Sequence, residues 1–572
     1  MLHGIAVSNG IGLGTVMLLK EQELSYDEAV VADEGMEAER LLMAVERFCA
    51  ATARQVEQLR RAAGFADAQI LETHIDMVRD PVLFEEMREQ ISEGSRAETA
   101  LKEVCGKYID LFSHAHDELT RLRAEDIRDV CNALLCLLLG VDHTGIGAIP
   151  KGTVLVAREL TPSVVSGIVA ENMAENVAGI VAERGGAVSH ACILARTMGV
   201  PTVCGVAGAM EKLAAGAFVI VDGSKGEVIC APEEPVIADY RRKSQAYQEE
   251  RSRAEYFKDR KTLSADGREY ALYCNISMPS VAAGVLEAGG EGVGLFRTEY
   301  LFMNRQHPPD EEEQFAAYSQ VLHGTAGRPA TIRTLDIGGD KELPCLDCQS
   351  EENPFLGLRG LRWCLKHQDV FMTQLRALLR AGAGQNLRIM LPMVSTLSEL
   401  RASRALLIQA REQLMGEGKP YAQRLKLGVM VETPAAVALA DRLCREVDFI
   451  SIGTNDLTGY LMACDRGNAQ VAGLYSPLQP AVLRALRHVI GRSAAAGVPA
   501  TICGEAASDP RLIPLLMAFG ISGFSVPTSS VLTVRQAISR WSLPQARQLA
   551  AAALDLDTLE EVEALLSAQT EA

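Results

Sequence analysis

Apolar positions change period twice along this chain of 572 residues. Residues 1–21 alternate apolar residues with glycines, which predicts a strand and turns. Within them Gly10-Ile11-Gly12-Leu13-Gly14 reads as a turn, because its spacing does not fit a dinucleotide-binding loop. From about residue 33 to 143 apolar residues recur at helical spacing, with few breakers such as Gly64, Pro81 and Gly94. Amphipathic helices are predicted over 36–61, 67–79 and 81–92. From about 149 the pattern shortens to β-rich runs at 153–156, 178–181, 201–203 and 218–222, with helical stretches between them. This predicts a compact α/β unit with the helical block inserted after its first strand.

Residues 236–260 are charge-dense and helical, as a solvated linker would be. Beyond them the pattern is strand then helix, repeated. Strands are expected at 331–336, 387–392, 427–432, 449–453, 500–503 and 523–526. That alternation fits a (β/α)8 barrel of the TIM type, whose chemistry lies at the C-terminal ends of the strands. The expected fold is therefore multidomain α/β. The expected domains are an α/β domain at 1–21 and 144–232, a helical domain at 22–143, a linker helix at 233–261 and a barrel at 262–572.

Composition narrows the function classes. A net charge of −18 argues against a nucleic-acid surface and allows an acidic face that steers a basic protein partner. The start, Met1-Leu2-His3-Gly4-Ile5, has no basic segment or long apolar core, and no spanning segment follows, so no direct membrane insertion is expected. The 14 cysteines are scattered, which points to a reducing, cytoplasmic setting. Cys345-Leu346-Asp347-Cys348 has no second pair and is not expected to bind zinc.

Candidate chemistry sits in two places. Gly185-Gly186-Ala187-Val188-Ser189-His190 puts a histidine after paired glycines and a possible N-cap serine, ahead of Ile193, Leu194 and Met198 on one helix face. Free N–H groups in a first helical turn favour phosphate, and a neutral imidazole there can carry a phosphoryl group. The second set lies at the expected strand ends: Arg297, Arg333, Arg359 and Arg466. Guanidinium forks match phosphate and carboxylate, so their convergence suggests a small ligand with several negative charges. Glu432 and Asp456 follow neighbouring strands; they could bind magnesium or simply cap helices. Cys503 ends another strand, either as a proton donor or as a small buried residue.

Six segments carry a resemblance over nearly the whole chain: Gly185-Gly186 with Ser189-His190; Gly294-Leu295-Phe296-Arg297-Thr298-Glu299-Tyr300-Leu301-Phe302; Asp336-Ile337-Gly338-Gly339-Asp340-Lys341-Glu342-Leu343-Pro344; Glu351-Glu352-Asn353-Pro354-Phe355-Leu356-Gly357; Val431-Glu432-Thr433-Pro434; and Ser451-Ile452-Gly453-Thr454-Asn455-Asp456-Leu457-Thr458. Together they resemble enzyme I of the bacterial phosphotransferase system, the phosphoenolpyruvate–protein phosphotransferases. The resemblance implies that His190 accepts the phosphoryl group. It implies that Arg297, Arg333, Arg466, Asn455 and Asp456 hold phosphoenolpyruvate, with Arg359 beside them. It further implies that Glu432 and Asp456 bind Mg2+ and that Cys503 protonates the enolate. The helical domain is then the docking surface for the small histidine carrier protein HPr, and the barrel makes a homodimer. Three positions depart from the pattern: Val188 and Val165 stand where relatives carry threonine, and Gly459 where many carry glutamine. The alternative is a regulatory homologue that docks a carrier without turnover. In the helical block, Glu72, His74, Met77, Phe84, Glu85, Phe112, His116 and Arg128 are expected to edge the carrier groove.

Overall fold

A computed structural model describes residues 1–19, 24, 26, 33–62, 65–113, 118–141, 149–170, 173–185, 191–192, 195, 198–303, 305, 307–338, 345–346, 351–465, 468 and 470–570. The chain divides into two compact units, Met1–Glu250 and Arg251–Ala572.

In the first unit the strands are β1 (Leu2–His3), β2 (Ile5–Ser8), β3 (Ile11–Leu19), β4 (Thr153–Ala157), β5 (Val177–Ala182), β6 (Thr202–Cys204), β7 (Phe218–Asp222) and β8 (Glu227–Cys230). Among the described residues they form one sheet in the order β1-β8-β7-β3-β4-β5-β6-β2. β3 and β4 are parallel neighbours, paired from Thr15–Thr153 to Leu19–Ala157. Everything between them is therefore an insertion between neighbouring strands, leaving at the end of β3 and returning at the opposite end of the paired strands to start β4. The insertion holds helices Glu34–Ala62, Phe65–Val78, Pro81–Ser92, Ala97–Ser113 and Glu118–Leu139.

The glycine-rich start corrects the expected turn. Gly12 and Gly14 lie inside β3. A Cβ at Gly12 would stand 1.9 Å from the Ala178 carbonyl oxygen, and one at Gly14 2.1 Å from that of Gly152. The glycines permit close backbone approach within a strand, a use that alternating sequence alone does not distinguish from a turn.

The inserted helices are tied by buried charge. Arg40 bonds Glu37 at 2.8 Å, Glu98, and the Leu138 carbonyl at 3.3 Å, while Glu37 accepts the Ala97 amide at 2.9 Å. Asp129 takes both the amide and the hydroxyl of Ser163, at 3.0 and 2.7 Å, and so fastens the insertion to helix Pro162–Ala170. Of the residues expected to edge a carrier groove, His74 is fully buried and three apolar ones are partly buried. His74 is buried 3.5 Å from Asp126, and Met77, Phe84 and Phe112 pack against the helical core. Glu85 and Arg128 are exposed, Glu72 is half-buried, and His116 lies outside the described residues. Val165 is buried, and the Ser166 hydroxyl donates to the Ser163 carbonyl at 3.0 Å. Val188 lies outside the described residues.

The expected linker is the helix Glu234–Glu255. In the second unit the strands are β9 (Ala271–Ile276), β10 (Val293–Arg297), β11 (Ala330–Arg333), β12 (Leu387–Leu391), β13 (Lys426–Val431), β14 (Phe449–Gly453), β15 (Ala500–Cys503) and β16 (Gly523–Pro527). They close into a parallel barrel when β16 pairs with β9. β9 and β10 add to the six expected strands. Gly294 interrupts the aliphatic signal of β10, yet a Cβ there would stand 2.1 Å from Ser525 Oγ across the barrel. Most apolar strand residues pack outward against the helices, whereas Leu295, Met390, Met430, Phe449 and Cys503 form a separate cluster drawn from five strands. These residues fill the barrel interior. Among the described residues no helix is long and apolar enough to cross a membrane.

One arginine joins the start of the barrel sequence to its end. Arg535, in helix Val531–Ser539, is 1% exposed. It donates to the carbonyls of Phe257 and Lys258 at 2.8 and 2.9 Å, to that of Gly289, and to the Thr262 hydroxyl at 3.0 Å. Replacing it with an apolar side chain leaves those acceptors buried without a donor. Each bond to a charged group contributes about 1.5–3 kcal/mol, so Arg535→Met is expected to destabilise the barrel by about 3 kcal/mol or more. A urea unfolding curve monitored on the full chain checks this, with a lowered midpoint as the expected result.

Candidate active site

The charged residues of the second unit gather at the C-terminal ends of its strands. Arg297 ends β10 and is the register partner of Arg333 at the end of β11. Glu432 follows β13. Asn455 and Asp456 open the helix Thr454–Met462 after β14, and Cys503 ends β15. Arg359 is not at a strand end: it lies in the connection after β11, ahead of the helix Leu361–Lys366. His190 and Arg466 lie outside the described residues, as do Ser189, Ile193 and Leu194.

Arg333 is 5% exposed, and a guanidinium so buried must be paired. Its Nη2 lies 2.7 Å from Glu299 Oε1 and its Nη1 3.1 Å from Asp336 Oδ2. Arg359 lies on the other side of Asp336, with Nε 3.4 Å from Oδ1. It also grips Asp456 with both terminal nitrogens, each at 3.0 Å, and donates to the Tyr460 hydroxyl at 3.2 Å. The result is an alternating row: Glu299, Arg333, Asp336, Arg359, Asp456. Burial opposes the charge of both arginines, but the flanking carboxylates outweigh it and hold the guanidiniums above their ordinary range.

Glu432 is 1% exposed and its Oε1 accepts the Met393 amide at 2.6 Å. Burial, reinforced by the charges of Asp456 and Asp336, pushes its carboxyl up to about 8; Arg333 and the Met393 amide pull the other way. Glu432 is not the cap of the helix that follows. Thr433 caps it, accepting the Ala436 amide at 3.1 Å. Gly453 makes room for the carboxylate, since a Cβ there would stand 2.7 Å from Glu432 Oε2. Among the described residues no three His, Cys, Asp or Glu side chains converge as a complete protein cage for a metal. Glu432 and Asp456 are a partial set, of the kind magnesium accepts when water and ligand oxygens supply the rest.

Cys503 is 2% exposed among Leu295, Met390, Met430 and Phe449. The Ser451 hydroxyl donates to its sulfur at 3.4 Å, and the thiol faces the Ile452 carbonyl at 3.4 Å. Burial pushes the thiol up to about 11; Ser451 and the charges of Arg333 and Arg297 oppose this, and Glu432 adds to it. The thiol therefore keeps its proton at neutral pH. Those charges place Arg297 and Glu432 within electrostatic reach of the sulfur. Asn455 Oδ1 accepts the Glu505 amide at 3.2 Å, and Gly504, at φ 96°, turns the chain so that Thr454 and Asn455 can pack there. Beside Asp456 lies a cavity of about 440 Å³, lined by Phe355, Asn455, Tyr460 and Tyr475 and left open at Gly459.

This set combines buried cations for a multiply charged anion, a carboxylate pair for a divalent ion and a neutral thiol that can give up a proton. Residues 251–543 match the family described as PEP-utilising enzyme, PEP-binding domain. Residues 149–226 match the PEP-utilising enzyme mobile domain and 3–123 the PEP-utilising enzyme N-terminal family. The chain is 40% identical over 562 residues to the phosphoenolpyruvate-protein phosphotransferase of Priestia megaterium, covering 98% of this chain and 97% of that one. It is 39% identical to proteins of the same name from Staphylococcus carnosus (strain TM300), over 100% of this chain and 99% of that one, and Bacillus subtilis (strain 168), over 99% of each. The chain belongs to the phosphoenolpyruvate–protein phosphotransferase family.

Reading the sequence for arginines passed over two acids in this family's motifs. Glu299 and Asp336 stand within three residues of Arg297 and Arg333 respectively, and both pair with Arg333. Acids so close to a cluster of arginines were the available signal.

The raised thiol is directly testable. At pH 8, Cys503 is expected to alkylate with iodoacetamide about a hundredfold more slowly than an unperturbed thiol of pKa about 8.5, because alkylation needs the thiolate. The rate should keep rising through pH 10. Peptide-resolved mass spectrometry reads it; a plateau below pH 9 would contradict the assignment.

Proposed function

We propose that this chain takes the phosphoryl group of phosphoenolpyruvate onto His190 and passes it to a histidine of an HPr-type carrier protein, releasing pyruvate. The observation that carries this reading is the convergence of Arg297, Arg333, Arg359, Glu432, Asp456 and Cys503 at one barrel mouth, in a chain with full-length relatives named for this reaction.

In this reading Arg297, Arg333, Arg359 and Arg466 bind the phosphate and carboxylate, and Asn455 orients the substrate. Their fixed charge lowers the barrier as negative charge shifts towards the bridging oxygen. Glu432 and Asp456 would hold Mg2+, which when bound supplies further charge neutralisation at the phosphate. Breaking the P–O bond leaves an enolate, and Cys503 gives its proton to the carbon, so pyruvate departs as the ketone. Its raised thiol and apolar surroundings suit a donor that must be protonated at pH 7. The phosphoryl group goes to the imidazole of His190, and from there to the carrier.

Domain limits of 1–21 with 144–232, 22–143, 233–261 and 262–572 suit this division of labour. The 22–143 helices would receive the carrier, and exposed residues such as Glu85 and Arg128 are better placed for contact than the packed aromatics. A homodimer through the barrel and a cytoplasmic setting complete the reading.

Incubation with 32P-labelled phosphoenolpyruvate and Mg2+ should give acid-labile, base-stable phosphate on the chain, and His190→Ala should abolish it. Label mapped by mass spectrometry to another histidine would overturn the assignment. Glu432 supplies a second check. With its carboxyl at about 8 it holds a proton at pH 7, which a bound cation must expel. Mg2+ affinity should therefore strengthen from pH 7 to 9. Calorimetry in buffers of different ionisation enthalpy should count close to one proton released per ion at pH 7 and far fewer at pH 9.

A further inference from the structure

Glu299 stands outside the residues that meet substrate, yet it touches the group that does. It follows β10 in the short helix Thr298–Leu301 and is 3% exposed. Its Oε1 accepts two bonds, from Arg333 Nη2 at 2.7 Å and from the Asp336 amide at 3.0 Å. Its Oε2 is buried and accepts none among the described residues. One oxygen thus fixes both the guanidinium and the backbone that carries Asp336, the next acid in the row.

The neighbouring residue holds the same segment by its backbone. The Thr298 hydroxyl donates to the Arg333 carbonyl at 2.9 Å and receives the Gln374 amide at 3.3 Å. Gln374 also accepts the Leu335 amide at 3.0 Å and donates to Tyr318, which donates to Gln314 at 2.9 Å. All four side chains are buried. The stretch 333–336 is therefore held at its carbonyl, at two amides and at its guanidinium, by groups that reach back to helices Glu311–Gly324 and Gln368–Ala381.

We infer that Glu299 is a positioning residue for the phosphoryl-donor site: its charge pairs Arg333, and its reach sets where Arg333 and Asp336 stand. This rests on the phosphotransfer reading above. The bonding pattern explains why reach sets the position. A single acceptor oxygen carries both bonds, so a glutamine at 299 retains that acceptor without the charge. An aspartate keeps the charge but is one methylene short and cannot span to both donors. A purely electrostatic role would rank the two the other way.

The test compares Glu299→Ala, Glu299→Gln and Glu299→Asp in the full chain. Phosphoenolpyruvate affinity is measured by calorimetry with Mg2+, and kcat, taken as the rate constant of the single turnover that loads His190, by rapid-quench pyruvate release. An ångström of misplacement at such a group can cost about a hundredfold. Glu299→Ala should therefore lower kcat by about a hundredfold and weaken binding. Glu299→Gln should recover about tenfold of that loss or more, and Glu299→Asp should recover less than Gln in both measurements. Asp equal to or better than Gln, or Ala binding and turning over like wild type, overturns the proposal. If Ala fails to fold, the Gln–Asp ranking still decides, with thermal midpoints as the fold control. Wild-type chain that binds phosphoenolpyruvate but releases no pyruvate would instead refute the underlying reaction, and the affinity ranking would still decide the role of Glu299.

Discussion

A guanidinium with almost no exposure must be paired, and Arg333 meets that requirement with an acid on either side. Each of those pairings creates the next. Asp336, drawn to Arg333, sits close enough to take Arg359, and Arg359 in turn spans to Asp456. Strand ends and connections that share no sequence neighbourhood are thereby brought into one row of alternating sign. A buried row of this kind contributes little net stability, because desolvation offsets much of the attraction. What it provides is orientation: each cation keeps a fixed place, so little rearrangement would remain to be done on binding an anion.

Under the row lies an apolar floor, and the contrast between the two layers sets the protonation states. Leu295, Met390, Met430 and Phe449 surround Cys503 and remove water from it. The thiol stays neutral although Arg333 and Arg297 act in the opposite direction, so burial outweighs the nearby positive charge. Glu432 sits at the boundary. It is buried like the thiol but near two other carboxylates, so both effects raise it and only Arg333 and one backbone amide resist. The barrel thus keeps an acid proton and a thiol proton at neutral pH by the same means, exclusion of water, within reach of fixed cations.

The first unit follows a different constraint. Because β3 and β4 are adjacent and parallel, the helical block can be inserted without disturbing the sheet. Its attachment is both polar and apolar: Asp129 holds both donors of Ser163 at the start of helix Pro162–Ala170, and Val56 and Leu71 join the apolar cluster around Val165. That helix carries Val165, which is buried, and Ser166, whose hydroxyl proton is given to its own helix.

Local pattern was enough for much of this protein. Helical spacing marked the insertion, with 81–92 coinciding with helix Pro81–Ser92, and branched aliphatic runs marked six of the eight barrel strands. Periodicity was enough to put Arg333, Glu432, Asp456 and Cys503 at or just after strand ends, where a barrel offers chemistry, whereas Arg297 ends β10, whose signal Gly294 interrupts. The misses share one cause, contacts across the fold. Gly12, Gly14 and Gly294 lie in strands because opposing atoms leave no room for a Cβ, a fact held by residues far away in sequence. Met77 and Phe84 are half-buried against their own helical core, and an amphipathic pattern does not divide such residues between partner and core. Glu299 and Asp336 gained their roles only when β10 lay beside β11 and Oε1 of one met the guanidinium of the other strand. Sequence alone determined most of the segments that become strands and helices and most of the charged residues that end them, since those depend on neighbours a few positions apart. Tertiary structure alone decided which acid faces which arginine and how far burial moves their protons, because those depend on distances between residues the chain separates.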